Sequence, residues 1–253
     1  MTITKVDDDT FRIANPAFRD VVFTASSPDY LTLPAAVAFA RDKGVVLESA
    51  RESAAFRIEA DGQDDANRYR ITRTVVAYFK DGNTWRAAID DSADPAQNIL
   101  LARAEEGYAA HQTGNKWLVP RNDVYVRGLL DRAEKAGSIV PAQEASPLEL
   151  ATQAASGRSP FGQHALMRAI FGDDVAEAYA KFLNQNRRNT GYGYSLTLKI
   201  LESMDIGSEN AEIRLVGLGG DGDYYLGGVV ADFLCGYVGR ARGVRSVSAE
   251  RTV

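Results

Sequence analysis

Cysteine and histidine are scarce: 253 residues hold one cysteine, Cys235, and two histidines, His111 and His164. A lone cysteine excludes an intramolecular disulfide framework and a cysteine-cluster zinc site. Neither histidine lies in a G-x-S-x-G, H-E-x-x-H or comparable setting, which leaves a Ser-His or metalloprotease type of site without its parts. Positive charge is also scarce: 29 Lys and Arg stand against 34 Asp and Glu, a net charge of −5. Proteins that coat nucleic acid or anionic lipid carry the opposite balance. No apolar run approaches the roughly 20 residues of a membrane span, and Asp232 interrupts the longest candidate. The N-terminus has three aspartates, Asp7 to Asp9, where a secretory signal needs a basic start and an apolar core. These readings predict a chain that works in the cytoplasm or within an assembled particle, with no membrane contact and no cofactor.

The remaining composition, 45% hydrophobic and 25% charged, is that of a globular protein large enough to bury a core without staples. Strand signals crowd the first hundred residues and helical ones the rest, which predicts an α+β fold. The predicted division is a β-rich part over 1–95 and a mainly helical part over 96–253, with a flexible joint near 141–160 or one continuous domain. The clearest element is a hairpin: YRITRTVVAYF from Tyr69, turn chemistry at Asp81-Gly82-Asn83, and the return TWRAAID. Its first arm alternates, with Tyr69, Ile71, Arg73, Val75, Ala77 and Phe79 on one face. Short strands are predicted over 21–25, 45–49 and 212–216. Helices are predicted over 33–41, 96–110, 122–136, 148–155, 161–171 and 174–184, with Gly44, Gly137 and Gly172 as stops.

Residues 226–243, LGGVVADFLCGYVGRARG, place Gly227, Ala231, Cys235, Gly239 and Gly243 at every fourth position. At helical pitch these form one stripe of small side chains on an otherwise apolar helix, a groove for close backbone approach. A buried packing helix is predicted, with Cys235 as an inert thiol.

Three constellations bear on function. The glycine-rich segment 217–228 follows a strand, a context that suits phosphate, yet it has no lysine and carries Asp221 and Asp223. Those two carboxylates form a candidate site for a hard cation. Residues 182–194 combine Arg187 and Arg188 with four carboxamides and Tyr192 and Tyr194, without an acid from Lys181 to Lys199. That vocabulary suits single-stranded nucleic acid or a protein partner, with Arg240, Arg242 and Arg245 as further cations. Tyr78 and Trp85 on the hairpin suit protein contact. Taken together these features point to a non-enzymatic, self-associating assembly subunit, such as a component of a microbial or phage particle, partnered by its own copies or other subunits. A nucleic-acid-binding module and a carboxylate or metal enzyme centred on 217–228 are the alternatives.

Overall fold

The structure is a computed structural model that describes residues 3–18, 20–60, 68–142, 148–149, 151–185, 192–193, 206–219, 229–233 and 239–246. In chain order, β1 (Ile3–Asp7), β2 (Thr10–Ile13) and β3 (Val21–Thr24) lead to α1 (Leu33–Asp42), β4 (Val46–Leu47) and α2 (Ala50–Ala60). The hairpin β5 (Arg70–Asp81) and β6 (Thr84–Asp90) precedes α3 (Ile99–Ala102), α4 (Ala104–Gln112), β7 (Leu118–Pro120), α5 (Val124–Ala136) and β8 (Ile139–Pro141). Then come β9 (Leu148–Glu149), α6 (Pro160–Gln163), α7 (Ala165–Phe171), α8 (Asp173–Gln185), β10 (Tyr192–Gly193), β11 (Asn210–Leu218), β12 (Val229–Phe233) and β13 (Gly243–Ser246).

The class is mixed α+β. An antiparallel sheet of order β12-β11-β5-β6-β8 carries helices on both faces, β7 adding to its β11 edge. A second antiparallel sheet runs β1-β2-β3-β13-β4, and β9 pairs with β10. Strands from both parts of the chain share each large sheet: β5 pairs with β11, and β13 lies between β3 and β4. The helices are distributed in the same way, with α1 and α2 preceding the hairpin.

Alternation along β5 divides its side chains between two cores. Ile71, Val75, Ala77 and Phe79 pack toward α1, α3, α4 and α5, whereas Val76 and Tyr78 face α2 and α6 to α8. A central strand covered on both faces has no wet side, and Tyr78 and Trp85 are only 1% and 9% exposed. The contact surface expected from those two aromatics is therefore core.

Local signals account for several elements. Thr32 accepts from the Ala35 amide at the start of α1, and Gly44 follows the helix with φ +66°. Asp123 caps α5, which Gly137 ends in the left-handed conformation. Elsewhere the chain departs from the periodic reading. The helix expected over 96–110 is two, α3 and α4, because Asn98 supplies the first cap and Arg103 leaves helical geometry at φ −129°. The one expected over 161–171 is likewise interrupted, His164 being extended at ψ 128°. The helix expected over 148–155 begins instead as strand β9, whose partner β10 lies more than forty residues later.

The largest correction concerns residues 226–243. Val229–Phe233 is a strand, not part of a helix, and pairs antiparallel with β11. Gly239 bridges Leu31, and Gly243 opens β13. An apolar stretch such as VVADF satisfies both periods, and the free edge of β11 decides in favour of the extended form. Of the stripe residues, Ala231 lies in β12, while Gly227 and Cys235 fall outside the described residues.

Candidate functional site

The end of β11, the start of β5 and the returning segment Gly239 to Gly243 converge, and polar side chains lock them together. Arg57, near the end of α2, is buried and donates to four acceptors: the Arg68, Leu218 and Gly219 carbonyls at 2.7, 3.0 and 2.8 Å, and the Tyr179 hydroxyl at 2.8 Å. One guanidinium with a rigid fork of donors thus holds the last described residues after β11 against α8 and the approach to β5.

A backbone lattice fixes the other side. Gly239 exchanges two hydrogen bonds with Leu31, its carbonyl accepting at 2.8 Å and its amide donating at 2.9 Å. The Arg240 amide donates to the Tyr69 carbonyl at 2.8 Å, and the Ile71 amide returns a bond to Arg240 at 3.2 Å. The Ser27 hydroxyl accepts from the Ala241 amide, and the Thr24 hydroxyl accepts from the Gly243 amide, both at 3.0 Å. Small residues are required here by close approach, since a Cβ at Gly239 would meet the Tyr69 ring and one at Gly243 would meet Val45.

Beneath this lattice sits a buried cluster of charge. Glu48 accepts from the Ser53 hydroxyl at 3.0 Å and faces Arg242 at 3.9 Å. Arg242 stacks on Phe56 at 3.6 Å and donates to the Ser26 hydroxyl, which also accepts from Arg70. Burial pushes the Glu48 carboxyl up, against the pull of Arg242 and Arg70. Next to it, Glu52 and Ser49 form a capping box: the Ser49 amide donates to Glu52 at 2.6 Å and the Glu52 amide to Ser49 Oγ at 3.2 Å. The same carboxylate makes a two-pronged pair with Arg73. Arg73 lies in a bulge, where two residues of β11 span four of β5, and the bulge frees its amide to donate to the Glu48 carbonyl. The S-x-x-E spacing at 49–52 is the sequence signal that identifies α2, an element the periodicity reading passed over.

This geometry positions backbone; it does not assemble a nucleophile with a base. Arg242, expected among the cations for nucleic acid, is buried on Phe56, while Arg240 donates to the Ser27 carbonyl and lies over Tyr30. Arg245 is exposed. Tyr192 lies in β10, paired with Glu149. Arg187, Arg188, Tyr194, Asp221 and Asp223 lie outside the described residues. Among the described residues, no three His, Cys, Asp or Glu side chains gather as metal ligands. Burial lowers the His164 pKa below its ordinary 6.5. No helix of the described residues is long and apolar enough to cross a membrane.

No protein-family model matches the chain, and no curated protein matches it. A solved structure does, one described as the accommodation of massive sequence variation in Nanoarchaeota by the C-type lectin fold. The alignment covers 87% of this chain and 97% of the other with a TM-score of 0.60. The fold resembles the C-type lectin fold. At 15% identity the likeness concerns fold alone. The lattice of Arg57, Gly239 and Arg240 fixes the chain at residues 218–219 and again at 239–240.

Proposed function

We propose that this chain is a non-enzymatic recognition protein whose contacts with a protein partner are made by residues 220–228, between β11 and β12. The observation that carries this reading is the anchoring on either side of that segment: Arg57 grips Leu218 and Gly219 before it, and β12, paired with β11 through Val229 and Val230, follows it. Between β11 and β12 the sequence offers Asp221, Asp223, Tyr224 and Tyr225 for polar and aromatic contact. The solved C-type lectin fold is described as accommodating massive sequence variation. Applied here, that property separates a frame that carries stability from a segment that carries specificity. Self-assembly, as of a particle subunit, is the form the reading takes when the partner is a second copy.

The test replaces Asp221, Asp223, Tyr224 and Tyr225 together with serine and follows melting temperature beside light scattering during size exclusion. Side chains that serve a partner and not the core cost little stability when replaced, and the expected melting temperature stays within a few degrees of the parent. A loss of cooperative unfolding assigns these side chains to the core and sinks the reading. A multimer that dissociates in the variant identifies the partner as a second copy.

A further inference from the structure

Away from that lattice, β8 is an outer strand of the large sheet, and among the described residues no strand pairs with its far edge. Its residues are accessible: Ile139 and Val140 are half-buried and Pro141 is exposed. The Ala142 amide donates to the Trp85 carbonyl at 3.0 Å, and the Ser138 carbonyl accepts from the Ile89 amide at 3.4 Å. Backbone groups alternate in direction along an antiparallel strand, so Ser138, Val140 and Ala142 direct theirs at β6, while the Ile139 amide and carbonyl and the Pro141 carbonyl point outward. A depression adjoins each face of this edge, and Gly137 lines both. On the Ile139 face one of about 520 Å³ is lined by Leu130, Asp131 and Glu134 of α5; on the Val140 face one of about 310 Å³ is lined by Ala165 and Ala169 of α7.

Asp131 and Glu134 are exposed, and neither pairs with a cation of the described residues. The C-terminal end of α5 beside them adds partial negative charge. The arginines of this depression are engaged or remote: Arg86 faces Asp81 at 3.9 Å, Arg121 lies over Phe79 and donates to the Lys80 and Ser208 carbonyls, and Arg127 stands two turns, about 10 Å, from Glu134 along α5. On the other face Arg168 and Asp173 neutralise each other through two bonds of 2.6 and 2.7 Å, which leaves a small apolar floor. A strand added to a sheet edge sends alternate side chains to the two faces. We propose that the β8 edge binds a basic peptide as an added antiparallel strand, its Arg or Lys opposite Ile139 and directed at Asp131 and Glu134, its small apolar neighbours directed at Ala165 and Ala169. The Ile139 amide and carbonyl exchange two bonds with the basic residue, and the Pro141 carbonyl accepts a third. The site is distinct from residues 220–228 and stands or falls independently of them.

Fluorescence anisotropy of a labelled acetyl-Thr-Val-Arg-Val-Thr-amide, titrated with the full chain, tests this. The expected result is one saturable site per chain. Replacing the peptide arginine with glutamate is expected to weaken binding at least tenfold, and so is methylating that arginine's backbone nitrogen, which removes the donor to the Ile139 carbonyl. The joint Asp131→Asn and Glu134→Gln substitutions are expected to do the same; both residues are exposed on α5, so the variant keeps the fold, which circular dichroism checks. The serine variant of residues 221, 223, 224 and 225 is expected to bind the peptide as the parent does, which keeps this test apart from that of the recognition segment. Absence of saturable binding overturns the proposal. Equal binding by the methylated peptide shows that no strand is added, and equal binding by the glutamate peptide or by the α5 variant shows that the carboxylates do not select it; either result overturns it. A dimer of the free chain that the peptide dissociates assigns the edge to a second copy, with the same consequence.

Discussion

The Tyr69 ring occupies the space a side chain at Gly239 would need: a Cβ there would stand 2.5 Å from Tyr69 Cδ1 and 3.0 Å from Ile71 Cγ1. The Tyr69 hydroxyl similarly fills the space beside Gly217. One aromatic side chain thus wedges between β11 and the returning segment, and two glycines receive it. Gly239→Ala is expected to cost about 1–3 kcal/mol through overpacking. Adding Tyr69→Ala removes the clash, and the double variant is expected to be more stable than the sum of the two single losses predicts. Additive losses in urea unfolding would show that the wedge does not exist.

Glu52→Gln attacks a different joint. Arg73 and Glu52 are a paired guanidinium and carboxylate whose side chains are 7% and 12% exposed. Removing one charge from a buried pair leaves the other uncompensated, a loss of about 3–5 kcal/mol. Equilibrium denaturation measures it; a change within the surface range of about 0.5 kcal/mol would mean that water reaches Arg73.

Arg57→Met keeps the bulk of the side chain and deletes its four donated bonds. Three carbonyls and a phenol lose a charged partner, and the expected loss is at least about 3 kcal/mol. Tyr179→Phe removes one of those four and is expected to cost about 1 kcal/mol. If the frame is what orders the approach to residue 220, amide exchange at Gly219 also speeds up in Arg57→Met and stays near parental in Tyr179→Phe.

Glu48 makes a prediction in pH. Burial raises its pKa above the ordinary 4.5, so the folded chain keeps a proton that the unfolded chain has already released. The associated stability is full below pH 4.5 and is lost as pH rises through the folded value. Relative to Glu48→Gln, the parent is therefore expected to lose stability from pH 4 toward neutrality. The comparison between the two proteins removes the opposite trend of Asp7 and Asp173, whose lowered pKa values add stability above 3.8 that is lost in acid. Parallel curves for the two proteins would show that Glu48 ionises alike in both states.

What the sequence determined by itself is the set of features with a local cause. Alternation in residues 69–80 assigned side chains to two faces, and the core on each side of β5 follows that assignment. Thr32 and Asp123 begin helices where their side chains accept an amide, and Gly44 and Gly137 supply the positive φ that follows a helix end. Tertiary structure decided everything whose cause is remote. Residues 229–233 are apolar enough for a buried helix or a buried strand, and only the edge of β11 distinguishes the two. The regular spacing that includes Gly239 and Gly243 has its physical reason in Tyr69 and Val45, residues more than 160 positions away. The arginines show the same division most clearly. Locally, Arg57 and Arg242 resemble surface charges; they are buried because carbonyls, hydroxyls and a carboxylate from distant segments meet them there, and no short stretch of sequence contains those acceptors.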